Sequence, residues 1–403
     1  MEKETWIDGM MMKGKVYVAG DNVVSSLGFT SEENFAHLKK METGVKRYND
    51  ASLWMEPLMA SRVDDVRLER EFAKLGSSAG FTRLEKMMLV SATAALSENK
   101  KIDISSSRTL IIVSSTKGNI ELLDKEEGKR FEKKRLYLWE TAAQVARFMG
   151  NPNKPLVVSN ACISGVLAII LAKRLLDEGK YDTMVVIGAD SLTKFVVSGF
   201  QSFKAVSNEV AKPYDAKRAG ISLGEGCGTM VLTNDETKLN DAERILVMGG
   251  ASSNDANHIS GPSRTGDGLQ MAIEKTLSEA MISAEEVDYI SGHGTATQFN
   301  DDMESLAVAN TQLGAVPMNS LKSYFGHTLG AAGIIESVMG VHSMRQNTLI
   351  GTYNFEELGV PATVNIIKDT RAEEVNNCLK TAAGFGGCNA AVLFEKLTSR
   401  ARA

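Results

Sequence analysis

The sequence has few cysteines, no long apolar run and no excess of basic charge. Its four cysteines show neither a CxxC spacing nor the pattern of a disulfide framework, which is typical of a reducing compartment. No apolar stretch is long enough and uncharged enough to span a bilayer. The formal net charge of −5 argues against general binding to nucleic acid.

The N-terminal residues, MEKETWIDGMMMKGK, also lack an apolar run of signal-peptide length, and acidic residues occur early among them. We therefore expect a cytoplasmic protein. Of its 403 residues, 43% are hydrophobic and 24% are charged, which is typical of a globular chain. That length favours roughly two to three domain-sized units.

One stretch, residues 156–179, has the pattern of a strand, a tight turn and a buried helix. It reads LVVSNACISGVLAIILAKRLLDEG, with the strand at its start, the helix over 166–176 and Gly179 after the helix. Cys162 lies in the turn, where the helix dipole favours a thiolate over a thiol. The alternative is a buried structural cysteine, because free cysteine is among the most buried residue types.

The second half of the chain repeats patterns of the first. RILVMGGASSN, from residue 244, resembles VYVAGDNVVSS, from residue 16, and TAAGFGGCNAAVLF near the C-terminus resembles GISLGEGCGTMVL. We interpret this as an internal duplication with halves at 1–237 and 238–403. Buried strands that alternate with helices predict an α/β protein whose mixed sheets are covered by helices on both faces.

Two of the five histidines lie in glycine-containing loops near strand ends, whereas His37, His258 and His342 have no such context. His293 opens the loop HGTAT, and His327 lies in SLKSYFGHTLGAAG. Two pseudo-twofold halves would bring the Cys162 turn and the His327 loop together at the centre, where active sites commonly form. A metal site is less favoured because no Cys or His pair has close ligand spacing.

Four stretches together resemble one enzyme family. They are NACISG around Cys162, HGTATQFND, the His327 loop and GFGGCNA, which contains Phe385. Their order and spacing resemble the β-ketoacyl-acyl-carrier-protein synthases of the elongating Cys-His-His type. The resemblance runs nearly end to end, and it implies a thiolase-like, five-layered αβαβα sandwich of two duplicated halves. Initiating synthases carry asparagine in place of the second histidine, so His327 favours the elongating branch.

The resemblance assigns a mechanism to these residues. A Cys162 thiolate attacks an acyl thioester, and the backbone N–H groups of Cys162 and Phe385 form the oxyanion hole. His293 and His327, as neutral imidazoles, donate from Nε2 to a malonyl thioester and stabilise the enolate left by decarboxylation. Lys322 sets the electrostatics around the histidines; the alternative is a plain salt bridge, for which Glu304 is the candidate partner.

Four further residues are candidates for substrate contact. Thr295 and Thr297 resemble positions that touch a phosphopantetheine arm, and their alternative role is loop capping. Gly386 belongs to a glycine-containing run that lets the Phe385 loop approach the substrate closely. Ile163 is stiff and β-branched, so we expect it to narrow the pocket mouth; the alternative is core packing.

The resemblance implies no metal, nucleotide or redox cofactor. It implies an acyl carrier protein as partner and a homodimer, with a heterodimer as the alternative. Two other functions stay open: a chain-length subunit of a heterodimeric ketosynthase, and a thiolase in which Cys388 is a second catalytic cysteine. The charged run KEEGKRFEKKR, residues 125–135, is a solvated segment or a docking site for an acidic partner. Fatty-acid, polyene, aryl-capped and polyketide substrates all stay open.

Overall fold

The computed structural model describes residues 14–77, 79–124, 126–240, 244–255 and 261–397. The predicted features at residues 1–13, Lys125 and His258 lie outside these ranges. Within them the helices are α1 (Ser31–Lys39), α2 (Asp65–Ala73), α3 (Arg83–Ser97), α4 (Leu138–Phe148), α5 (Ser164–Asp177), α6 (Lys194–Ser202), α7 (Asp267–Ala280), α8 (Gln298–Asn310), α9 (Lys322–Phe325) and α10 (Ala332–Gln346). None of these described helices is both long and apolar enough to cross a membrane.

Most strands belong to one large mixed sheet. The strands are β1 (Tyr17–Val24), β2 (Lys46–Tyr48), β3 (Leu58–Ser61), β4 (Thr109–Ser114), β5 (Leu156–Val158), β6 (Thr183–Asp190), β7 (Leu223–Gly224), β8 (Gly226–Thr233), β9 (Arg244–Asn254), β10 (Tyr289–Ser291), β11 (Pro317–Asn319), β12 (Thr348–Leu349), β13 (Asn365–Ile366), β14 (Arg371–Ala372), β15 (Asn377–Gly384) and β16 (Cys388–Leu397). The large sheet has the order β13-β11-β10-β15-β16-β9-β1-β8-β6-β4-β5.

The strand order repeats from the centre of this sheet outwards. One half runs β1-β8-β6-β4-β5 and the other runs β9-β16-β15-β10-β11, with the same sequence of antiparallel and parallel pairings in each half. The halves meet through a single β1–β9 pair, Tyr17 opposite Leu246. This repeat confirms the duplicated architecture, while the boundary at 237/238 stays a prediction.

One predicted equivalence between the halves is wrong. The sequence aligned GISLGEG with the start of TAAGFGG, but the topological counterpart of β15 is β6 rather than β7. β7 instead pairs with β3 in a separate three-stranded sheet. The two segments look alike because both are rich in glycine and both precede an antiparallel strand, β8 or β16. Only the second segment, which contains β15, belongs to the large sheet.

Two central helices, α5 and α10, separate the half-sheets. α5 contacts β4 and β6 of the first half and β9 and β16 of the second, and α10 likewise contacts strands of both halves. On the outer faces α3 covers the first half-sheet and α7 covers the second. These five layers are the αβαβα sandwich that the family resemblance implied. α10 is buried almost throughout, as expected for a helix enclosed on all sides.

The central helices approach each other through glycine. A Cβ atom built on Gly333 would lie 2.5 Å from the backbone nitrogen of Val166, and one built on Gly165 would lie 2.8 Å from the nitrogen of Ile334. Such distances leave no room for a side chain at the crossing. This crossing fixes the spacing of the two helix N-termini, which carry the Cys162 turn and the His327 loop.

Gly333→Ala tests the crossing. We expect it to lower the free energy of unfolding by about 2 kcal/mol, because the added methyl group forces the helices apart. Gly199→Ala is the matched control, since a Cβ there meets no atom within 4 Å, and it should be neutral or stabilise by about 0.5 kcal/mol. Urea unfolding monitored by circular dichroism measures both. A Gly333→Ala protein as stable as the wild type would contradict a tight crossing.

Candidate active site

Cys162 lies in the turn between β5 and α5, as the sequence predicted. The turn is held by Ser164, whose hydroxyl accepts from the Asn160 N–H at 2.7 Å and donates to the Ala161 carbonyl at 2.7 Å. Ala161 has a φ of 44°, a left-handed conformation that is strained for a residue with a side chain. The strained turn directs a buried Cys162, 6% exposed, towards the second half of the chain.

His327 comes from the second half and meets the cysteine. Its Nε2 lies 3.0 Å from Cys162 Sγ. The backbone N–H of Leu329 donates to its Nδ1 at 3.3 Å, so a neutral His327 carries its proton on Nε2 and donates to the sulfur. β7 and the residue before it hold the loop in place, because the Gly224 N–H donates to the His327 carbonyl at 3.0 Å and the His327 N–H donates to the Ser222 carbonyl at 2.7 Å.

His293 completes the group from the loop after β10. Its ring centroid lies 5.4 Å from that of His327, with the two rings at 85°. Lys322 Nζ lies 3.3 Å from His293 Nδ1, and because an ammonium group can only donate, a neutral His293 also carries its proton on Nε2. The carboxylate of Glu304 anchors the loop by accepting from the N–H groups of His293 at 2.7 Å and Gly294 at 2.8 Å.

The proposed ion pair between Lys322 and Glu304 is wrong. Lys322 pairs with Glu336 of α10, at 2.8 Å from Nζ to Oε1. Glu304 is occupied by backbone donors and by the hydroxyl groups of Tyr214 at 2.9 Å and Thr381 at 2.7 Å. Glu304 therefore shapes the His293 loop, whereas Glu336 compensates the lysine charge.

Burial decides the charge states at this centre. It lowers the pKa of both histidines well below the usual value, and the positive charge of Lys322 lowers it further. Burial also raises the pKa of the Cys162 thiol to about 12, which Lys322 opposes. The expected resting thiolate is therefore corrected to a neutral thiol beside neutral imidazoles. The sequence argument considered the helix dipole but not the desolvation of an enclosed sulfur.

The three side chains open onto one cavity of about 340 Å³, a size suited to a small organic ligand. Thr295 and Thr297 also line it, with their hydroxyl oxygens 2.8 Å apart. Thr295 is at the same time part of the loop, since its N–H donates to Asp301 at 2.8 Å. The two threonines thus line the cavity, as a substrate-contacting residue would, and they also form hydrogen bonds within their own loop.

A cluster of aromatic rings lines the same cavity. Phe385 is 42% exposed, and its ring lies 5.7 Å from that of Phe200 and 5.4 Å from that of Phe203. The Phe200 ring is in turn 6.4 Å from His327. The sequence analysis missed Phe200 and Phe203, because nothing in the pattern of α6 distinguishes these rings from core residues.

The loop of Phe385 lies against the Cys162 turn. A Cβ atom built on Gly384 would be 3.1 Å from the Cys162 nitrogen, so a glycine is needed there. Gly386 has a φ of 91°, which a side chain would disfavour. The thiol of Cys388 donates to the Phe385 carbonyl at 3.3 Å, and Cys388 does not line the described cavity.

Ile163 lies elsewhere than the predicted pocket mouth. It is 1% exposed and belongs to the hydrophobic core around the central helices, and it is not among the described lining residues. Ile163 therefore packs in the core, which is the alternative role given for it above. In the charged run, Arg135 is buried and forms an ion pair with Glu85, so at least this cation is structural. Docking of an acidic partner by the run stays a prediction.

Three buried charged residues escaped the sequence analysis. Asp190, at the end of β6, accepts from Ser115 at 2.8 Å and from the Gly330 N–H at 2.7 Å, and so ties the first half to the His327 loop. Glu336 and Lys380 lie within apolar segments of α10 and β15. A charged residue within an apolar segment is rarely buried unless it is paired. The position of these two residues in apolar segments is the signal that could have identified them as a buried pair. No cluster of ligand side chains able to hold a metal occurs in the described part of the chain.

Known proteins resemble this chain in sequence. The sequence model described as "Beta-ketoacyl synthase, N-terminal domain" matches residues 13–238, and the corresponding C-terminal domain matches residues 245–356. The 3-oxoacyl-acyl-carrier-protein synthase 2 of Rhizobium meliloti is 34% identical over 261 residues, which is 61% of each chain. A mitochondrial putative 3-oxoacyl-acyl-carrier-protein synthase of Schizosaccharomyces pombe is 30% identical over 80% of this chain and 83% of its own.

A solved structure shares the fold. The ishigamide ketosynthase/chain length factor superimposes with a TM-score of 0.87 and 24% sequence identity, over 96% of this chain and 100% of its own. At this identity the likeness supports the thiolase-like architecture. The family matches supply the rest: the chain belongs to the β-ketoacyl synthase family.

Proposed function

We propose that Cys162, His293 and His327 are the catalytic residues of a decarboxylative Claisen condensation. The chain is a condensing acyltransferase of the 3-oxoacyl-acyl-carrier-protein synthase type, as its family membership indicates. The observation that carries the assignment of residues is the 3.0 Å contact between Cys162 and His327, with His293 opening onto the same cavity.

The first step transfers an acyl group to the enzyme. Cys162 Sγ attacks the carbonyl carbon of an acyl thioester, and the thiol of the carrier leaves with the proton. Backbone N–H groups of Cys162 and Phe385 stabilise the oxyanion. The donor at His327 Nε2 stabilises the sulfur as it becomes negative, which offsets the cost of a buried thiolate. The attacking thiolate thus forms during the reaction rather than before it.

The second step forms the new carbon–carbon bond. Nε2–H groups of His293 and His327 donate to the thioester carbonyl of a malonyl group, and carbon dioxide leaves to give an enolate. The enolate carbon attacks the acyl-enzyme, and Cys162 departs as a thiolate that takes a proton from solvent to restore the thiol. The product is a 3-ketoacyl thioester that is two carbons longer. Lys322 supports this step by fixing the His293 tautomer from its position 3.3 Å away.

The chemistry defines the partners. Both substrates are thioesters, which an acyl carrier protein would present on its phosphopantetheine arm past Thr295, Thr297 and the Phe385 loop. Substrate thioesters supply all the reacting groups, so the proposed reaction needs no cofactor. We further propose that the protein is a cytoplasmic dimer, and its four free thiols are typical of a reducing compartment.

The alternative assembly is a heterodimer of this chain with a related chain-length subunit. The ishigamide neighbour is a ketosynthase/chain length factor pair, so a related subunit is a possible partner of this chain. Within such a pair this chain would supply the ketosynthase activity, because its cysteine and both histidines are present and meet. Condensation by the purified chain alone would distinguish a homodimer from an obligate heterodimer.

A thiolase-type mechanism is less well supported. It would use a second cysteine beside Cys162, and Cys388 is the candidate from the sequence. Its buried thiol donates to the Phe385 carbonyl, and Cys388 does not line the described cavity that Cys162 and both histidines share. Cys388 therefore supports the loop rather than the reaction.

Cys162→Ala should abolish acyl-enzyme formation and retain decarboxylation of the malonyl thioester, because both histidines remain. Cys388→Ser is the matched control and should keep condensation within about threefold, since a hydroxyl group can donate to the same carbonyl. Intact-protein mass spectrometry and carbon dioxide release measure the two activities. Condensation by Cys162→Ala, or its loss in Cys388→Ser, would contradict the assignment.

His327→Ala separates the two steps. We expect the variant still to accept an acyl group on Cys162, more slowly because the sulfur has lost its donor, while its decarboxylation falls by about 100-fold or more, the usual cost of losing an oxyanion donor. His342→Ala controls for loss of a buried histidine, because His342 contacts Asp21 at 2.8 Å and lies outside the cavity. Failure of His327→Ala to become acylated would instead make His327 the base for the thiol.

The depressed pKa of the histidines predicts a flat pH profile. A pKa lowered below the usual value keeps an imidazole neutral at pH values where an ordinary histidine would be protonated. Decarboxylation by Cys162→Ala, which removes the titrating thiol, should therefore stay constant from about pH 8 to about pH 6. A rate that falls with an apparent pKa near the ordinary histidine value would contradict the neutral pair.

A further inference from the structure

Lys380 is a second fully buried lysine beside the candidate site, and the mechanism above does not use it. It lies on β15, with 0% exposure. Its Nζ lies 2.6 Å from Glu336 Oε2 and 3.1 Å from the carbonyl oxygens of both Ser291 and Gly292. Those two residues immediately precede His293, so the ammonium group lies beneath the base of the histidine loop.

Glu336 joins this lysine to Lys322. One carboxylate oxygen contacts Lys322 at 2.8 Å and the other contacts Lys380 at 2.6 Å. Glu304, which is also wholly buried, brings a second carboxylate to the same loop. The two lysines therefore balance these two glutamates, while the loop also holds the buried carboxylate of Asp301. Without Lys380 a single lysine would face these buried carboxylates, which is costly.

We propose that Lys380 is a positioning residue for the condensing centre: it balances the buried carboxylates so that Lys322 keeps His293 as the neutral Nε2–H donor. This inference rests on the proposed role of His293. Lys380 acts through Glu336 and the loop backbone and need not touch substrate.

The surroundings of His293 support this role. The titratable and charged groups nearby come from several elements: Lys322, Lys380, Glu336, Glu304, Asp301, Tyr214, His327 and Cys162. Burial is the main cause of the low pKa of His293, and Lys322, His327 and Lys380 each lower it further. Loss of Lys380 removes one positive neighbour and leaves the carboxylates, so the change would raise the His293 pKa.

Three variants test the proposal. Lys380→Met removes both the charge and the donor, whereas Lys380→Gln removes the charge and keeps an N–H donor for the Ser291 and Gly292 carbonyls. Lys396→Met is the matched control: Lys396 is a buried lysine on the neighbouring strand β16, and it donates to the Met344 carbonyl at 2.8 Å. NMR titration of the full-length protein with isotopically labelled histidine follows the His293 ring, assigned by its loss in His293→Ala.

The proposal predicts that the His293 pKa rises by about one unit or more in both Lys380 variants. Malonyl decarboxylation should fall about tenfold at acidic pH in both, with acylation of Cys162 retained. Lys396→Met should leave the His293 titration unchanged even if it lowers the melting temperature. Wild-type titration in Lys380→Gln, or an equal shift in Lys396→Met, would overturn the proposal.

This test separates the inference from the function on which it rests. A wild-type protein that does not decarboxylate malonyl thioesters would refute the proposed role of His293, whatever the Lys380 variants do. An active wild type whose His293 titrates identically in Lys380→Met would refute the role of Lys380 alone.

Discussion

The contact between Cys162 and His327 requires that the two halves of the fold pack closely against each other. The two residues lie 165 positions apart and come from different halves of the chain, yet Sγ and Nε2 are 3.0 Å apart. Two helix N-termini must meet for this to happen, and the glycine crossing of α5 and α10 sets their distance. Asp190 and β7 then hold the His327 loop from the first half. The duplicated fold thus brings the Cys162 turn and the His327 loop together.

Desolvation is the second constraint on the centre. The site is enclosed enough to keep both histidines neutral and to hold the cysteine as a thiol at rest. A neutral imidazole with its proton fixed on Nε2 is a donor and not a base, and the contacts at both Nδ1 atoms impose that form. Donors held in this form are suited to stabilising negative charge in a transition state, which is where preorganised donors are most effective.

Sequence reasoning singled out three candidate residues, Cys162, His293 and His327, and the structure brings them to one cavity. A cysteine before a buried helix and histidines in glycine loops are rare combinations, and the duplication indicated that they would meet. It could not identify the partner of Lys322, because Glu336 becomes a neighbour only when α10 is the central helix. Lys380 reaches the same carboxylate only because α10 packs against β15. The thiol state of Cys162 escaped for a similar reason, since burial depends on tertiary packing.

Mass spectrometry of the protein shows whether Cys162 carries the acyl group. The wild-type chain would be expressed with its native acyl carrier protein. It would then be digested without thiol reagents, which would cleave an acyl thioester, and mapped peptide by peptide. We expect an acyl adduct on the peptide that contains Cys162, and we expect hydroxylamine to release it. An adduct on the Cys388 peptide instead, or none on Cys162 with an active carrier protein present, would contradict it.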